Sequence, residues 1–117
     1  MSLEKNPRQM AIVPSSNKIK KLVGVAAGLS DTLKVYEQTV IVVATAGSVT
    51  ITLPNVTEAM GNIYSIYCTD LTSPATVTVQ DQNESLGWSD MSLTADNDNV
   101  LLYSDGVAWK KLIDVTT

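Results

Sequence analysis

Val100-Leu101-Leu102-Tyr103-Ser104-Asp105-Gly106-Val107-Ala108-Trp109-Lys110-Lys111-Leu112 constrains this chain more than any other stretch. Two apolar runs flank Asp105-Gly106, a pair that readily takes the positive φ angles of a tight two-residue turn, so the segment predicts a β-hairpin. Runs of the same kind precede it. Thr39-Val40-Ile41-Val42-Val43-Ala44 is a continuous apolar run of strand length, the pattern of a strand covered on both faces. Ser48-Val49-Thr50-Ile51-Thr52-Leu53 alternates, with Val49, Ile51 and Leu53 on one face, and Pro54 ends it. Further strands are expected at about 63–69 and 75–81, the latter setting Val77 and Val79 against Thr76, Thr78 and Gln80. Between them, Asn55 to Asn62 holds one short helix or turn, stopped by Gly61. Leu86-Gly87-Trp88 and Met91-Ser92-Leu93 mark a further strand or a broken pair. Short strands with regular turn signals predict an all-β fold, an antiparallel β-sandwich or barrel, over residues 37–117. No sequence repeat stands out.

Residues 1–36 read differently, as an extended N-terminal arm. Pro7, Pro14, the polar Ser15-Ser16-Asn17, Gly24 and Gly28 break its apolar clusters, and no long helical stripe survives. Gln9 to Val13 and Lys18 to Val25 are either short extended segments able to pair with a sheet edge or, at Lys18 to Leu22, one helical turn. Charge divides the same way. Residues 1–34 hold six basic side chains against two acidic ones, whereas the remainder holds Lys110 and Lys111 against ten acids. Such asymmetry suggests a basic arm on an acidic body, each facing a different environment. Nucleic acid is not the expected partner, because the basic segment lacks interleaved aromatic residues and is partly apolar.

At 117 residues the chain fits one domain able to bury about 65% of its surface without disulfides or metals. The single cysteine, Cys68, lies in a strand-like run and reads as a buried structural thiol, there being no histidine to activate it. Absence of histidine also excludes His-dependent triads and zinc–histidine sites, and no Gly-rich phosphate loop is present. No run approaches the ~20 apolar residues of a membrane span, and Met1 to Arg8 lacks the apolar segment of a secretory signal, so synthesis in a cytoplasm is expected. Asp96-Asn97-Asp98-Asn99 offers oxygen ligands but lacks the glycine and glutamate of an EF-hand loop, and reads as a solvated tip. Trp88 and Trp109 with Tyr36, Tyr64, Tyr67 and Tyr103 are either a sugar-stacking platform or core and rim packing. No enzyme activity, catalytic residue, metal, cofactor, membrane or small-molecule substrate is expected.

Thr50-Ile51-Thr52-Leu53-Pro54, then a small polar loop, a Tyr-rich strand, a Thr-Val-Thr-Val strand and Leu101-Leu102-Tyr103-Ser104-Asp105-Gly106-Val107-Ala108-Trp109 together resemble a β module of tailed-bacteriophage structural proteins. The resemblance spans about residues 37–115. It implies a virion structural protein, found among capsid decoration (cement) proteins, head fibres and tail-fibre domains, commonly as homotrimers. A fibre needs a long shaft or coiled coil, for which this chain has neither heptads nor length. The expectation is therefore a capsid decoration protein that is made in the host cytoplasm, binds the major capsid protein on the capsid surface and forms a homotrimer. The alternative is a tail-fibre or head-fibre module that binds host-surface carbohydrate. On the decoration reading the arm grips the shell, with Ile12, Val13, Leu22 and Val23 entering grooves and Lys18, Lys20 and Lys21 meeting acidic surface.

Overall fold

The computed structural model describes residues 19–82 and 90–116. They form nine strands and, among the described residues, no helix: β1 (Ile19–Val23), β2 (Leu29–Thr32), β3 (Thr39–Ala44), β4 (Val49–Leu53), β5 (Ile63–Leu71), β6 (Val77–Asp81), β7 (Met91–Leu93), β8 (Asn99–Ser104) and β9 (Trp109–Val115). A five-stranded sheet runs β9-β8-β5-β3-β1 and a four-stranded sheet runs β2-β4-β6-β7. Both close on one apolar core that includes Val40, Val42, Ile66, Val100 and Leu102 from the first sheet and Val49, Ile51, Val77, Val79 and Leu93 from the second. The fold is the expected all-β, sandwich-like one.

The pairing is mixed rather than antiparallel. From β1 to β6 the chain alternates between sheets, so each strand lies parallel to the one two places earlier: β1 with β3, β3 with β5, β2 with β4 and β4 with β6. Only the end of the chain, β5–β8, β6–β7 and β8–β9, pairs antiparallel. The first six strands therefore wind as a two-sided coil. Its first step is regular, with Ile19 beside Thr39 and Leu29 beside Val49. In such a coil each turn leans on the next, and stability comes from stacking neighbours.

This winding corrects the domain boundary expected at residue 36. β1 and β2 are full members of the sheets, Leu22 and Leu33 belong to the core, and Leu29 packs against it. The first corner of the coil rests on the second. A Cβ at Gly24 would collide with the Gly47 carbonyl, and one at Gly47 with the Val25 carbonyl, so both positions exclude any side chain. Residues 1–18, including Gln9 to Val13, lie outside the described residues.

Local readings fare according to how local they are. Val49, Ile51 and Leu53 are wholly buried as the alternation requires, and residues 56–61 are turn, with Gly61 at φ 86°. The last hairpin forms, but its loop spans Asp105 to Ala108, wider than the two-residue turn expected. Asp105 explains the widening: its Oδ1 accepts the N–H groups of both Val107 and Ala108, each at 2.8 Å, an Asx turn that substitutes for the tight one. Those two bonds also hold the Asp105 carboxyl below its usual range.

Candidate interaction surface

In a two-sheet fold the inner faces must be apolar, while nothing in folding dictates the outer ones. Here the two outer faces are opposites. On the four-stranded sheet the outward positions are Ser30 and Thr32, Thr50 and Thr52, Thr78 and Gln80, and Ser92. They stand in register across all four strands, and Gln80 Nε2 donates to Thr52 Oγ1 at 2.9 Å. No apolar side chain interrupts them.

The five-stranded sheet turns outward Ile19, Lys21 and Val23 from β1, and Thr39, Ile41 and Val43 from β3. β5 adds Ile63, Ser65, Tyr67 and, beside Val43, the exposed Asp70, β8 adds Asn99, Leu101 and Tyr103, and β9 adds Lys110, Ile113 and Val115. Ile19 is 59% exposed, Val23 49% and Ile113 50%, while Ile41, Val43 and Leu101 are half-buried by their neighbours. Five strands about 4.8 Å apart and some five residues long make a face of about 400 Å². Its apolar side chains are interspersed with Lys21, Thr39, Ser65, Asp70, Asn99 and Lys110, so the apolar part of the face is smaller than this area. The continuous apolar run of β3 predicted cover on both faces. Val40, Val42 and Ala44 have it, whereas Ile41 and Val43 on the other face are only half-buried among the described residues.

The residues expected to grip a shell fall into three groups. Ile12, Val13 and Lys18 lie outside the described residues. Lys21 and Val23 are exposed on the outer face of β1. Lys20 and Leu22 point the other way, a correction imposed by strand alternation: Leu22 is buried in the chain's own core, and Lys20 is held by Asp31 Oδ2 at 2.9 Å and Glu37 Oε2 at 3.1 Å. Burial pulls the Lys20 pKa down, but hydrogen bonds to Asp31 and Glu37 outweigh it and leave the ammonium above its ordinary value. Glu37 goes below its own, because burial is outweighed by the Lys34 backbone N–H and by Lys20.

Other candidates are absorbed by structure. In the Asp96 to Asn99 loop, Asp98 is buried and its Oδ2 accepts the N–H groups of Thr94 and Ala95, while Asp96 Oδ1 accepts the N–H of Leu71. Asn97, at φ 72°, accepts the Tyr67 hydroxyl at 2.8 Å. These oxygens hold a turn, and no group of three or more metal-ligating side chains occurs among the described residues. Trp109 and Tyr64 meet edge to face in the core, ring centroids 5.4 Å apart, and so face no ligand, whereas Trp88 lies outside the described residues. Cys68 is buried, and burial with nearby Asp96, Asp98 and Asp70 pushes its thiol up to about 11. An open groove of about 310 Å³ runs along one corner of the coil from Ala26 past Gly47 and Ser48 to Pro74, lined by small residues without a charge. Among the described residues no helix is long and apolar enough to cross a membrane.

The chain matches no protein-family model, and no curated protein matches it as a relative.

Proposed function

We propose that this chain is a virion structural protein of the capsid-decoration type, which associates with copies of itself as a homotrimer and sits on a shell built of the major capsid protein. The observation that carries the reading is the outer face of the five-stranded sheet, where Ile19, Val23, Ile63, Ile113 and Val115 are exposed among the described residues, set opposite an outer face made of hydroxyl and amide groups. A body built this way has one side suited to protein contact and one suited to water. Its outward Ile41, Val43, Ile113 and Val115 gain by losing water against a second copy, at about 25 cal/mol per Å² of apolar surface. The resemblance of the Thr50 to Pro54 strand and of the terminal hairpin to phage structural modules supports the same class.

Two measurements test it. Sedimentation equilibrium at micromolar concentration should return three times the chain mass, and Ile41→Lys should return it to the chain mass while circular dichroism stays that of a β protein. A wild-type monomer would remove self-association in free solution. Co-sedimentation with shells lacking the protein should then recover it in the pellet, and its staying in the supernatant would remove the decoration role.

A further inference from the structure

Following the rows of side chains across the five-stranded sheet exposes a pattern at its two ends. One inward row reads Lys20, Val40, Ile66, Val100, Asp114, each residue beside the next on the adjoining strand. Its three middle members are core and its two outer members are charged. A second inward row reads Tyr64, Leu102, Lys111 and changes character at the same edge. In the facing sheet, the row Asp31, Ile51, Val79, Met91 begins with a carboxylate. Lys20 and Asp31 thus stand where the next turn of the coil holds Val40 and Ile51, and Lys20 pairs with both Asp31 and Glu37 over the end of the core. At the opposite end Lys111 pairs with Asp114 at 3.3 Å on a stretch of β9 that is exposed on both sides.

These charges occupy the positions that matter for stacking. Among the described residues β1 and β2 are the edges at one end, and β9 and β7 are the edges at the other. Each edge strand offers a row of backbone donors and acceptors. The inward rows through Leu22 and through Leu29, Val49, Val77 and Leu93 do stay apolar to the edge. Were the charged rows apolar as well, β9 and β7 of one copy would continue onto β1 and β2 of the next, head to tail, and such a contact does not close but grows. Bringing Lys20, Asp31, Lys111 and Asp114 into a continuous core would strip them of water, which costs more than backbone pairing returns. A register shift between Lys111 and Ile113 further spoils the β9 edge.

We infer that the Lys20–Asp31–Glu37 cluster and the Lys111–Asp114 pair are end-stops, which keep a second copy of this chain off both ends of the stack and leave the outer face of the five-stranded sheet as its surface for association. The inference does not depend on a capsid. It concerns which surfaces of the chain meet copies of itself, and it holds whether or not the chain binds a shell.

The test is to make the ends apolar and look for growth. Lys111→Leu with Asp114→Leu alters only exposed side chains, so the fold is not at risk, and the uncapped end should pair with the same end of another copy. Sedimentation velocity should show at least a doubling of the wild-type particle mass. Adding Lys20→Leu, Asp31→Leu and Glu37→Gln should give elongated polymers by negative-stain microscopy. The charge-swapped control, Lys111→Asp with Asp114→Lys, keeps the ends charged and should sediment as wild type. Retention of the wild-type mass by the double leucine variant would overturn the inference, and so would polymerisation of the charge-swapped control.

Discussion

The two outer faces of this sandwich share a core and an alternation, and differ in most of their outward residues. β4 sets Thr50 and Thr52 outside Val49, Ile51 and Leu53, and β3 sets Ile41 and Val43 outside Val40, Val42 and Ala44. Both strands bury their inward residues completely or nearly so. Folding therefore asks nothing of Ile41 that Thr50 does not satisfy equally well on its own sheet. An apolar residue that the described core does not need points to cover from beyond that core, and this is what the contrast teaches.

The comparison breaks most visibly at an inward position. Ile51→Ala should lower the unfolding free energy by about 2–5 kcal/mol, through lost burial and the cavity left behind, read by urea denaturation. Ile41→Ser, on the outer face, should instead cost the isolated fold no more than about 1 kcal/mol while weakening self-association at least about tenfold, read by dilution in sedimentation experiments. Equal stability losses from the two variants would mean that Ile41 serves the core. A smaller effect is expected from Thr50→Val with Thr78→Val. These neighbours on the hydroxyl face would become an apolar patch, and the protein should associate at lower concentration with its unfolding midpoint nearly unchanged.

The effect that vanishes near neutral pH concerns the interior that both faces share. The Cys68 thiol is raised from 9.0 to about 11 in the fold, so it remains neutral at a pH where the unfolded chain has ionised. Its contribution to stability is complete below pH 9 and is lost as pH climbs from 9 to 11. Cys68→Ala should flatten that part of the pH–stability profile. At pH 8 the native thiol should resist iodoacetamide and react only on unfolding.

Much of this was legible in the residues. The alternation of Val49-Thr50-Ile51-Thr52-Leu53 states which side chains go inward, Pro54 and Gly61 mark ends, and Asp105-Gly106 marks a hairpin. What alternation cannot state is the identity of the neighbouring strand, because an inward residue is equally buried beside a parallel or an antiparallel partner. The coil stayed hidden for this reason: its first step is regular in spacing but not in residue type, Lys20 standing over Val40 and Asp31 over Ile51. Gly24, Gly28 and the excess of basic side chains made residues 19–36 look like an arm, because the strands they separate are too short to show a period of their own. The outer face was half-legible. A run apolar at every position shows that both sides of β3 want cover, but not that the described strands bury only one of them fully.

The contact between Gly24 and Gly47 has an engineering consequence. At that corner the connections 24–28, 45–48 and 72–76 are all short, whereas at the opposite corner the link lengthens from 33–38 to 54–62 without disturbing the strands it joins. Val56 and Ala59 of that link belong to the core, but a foreign peptide grafted between the exposed Thr57 and Glu58 enters a link that has already grown, and lengthening a surface loop costs little. The same graft beside Gly47 would pry successive turns apart.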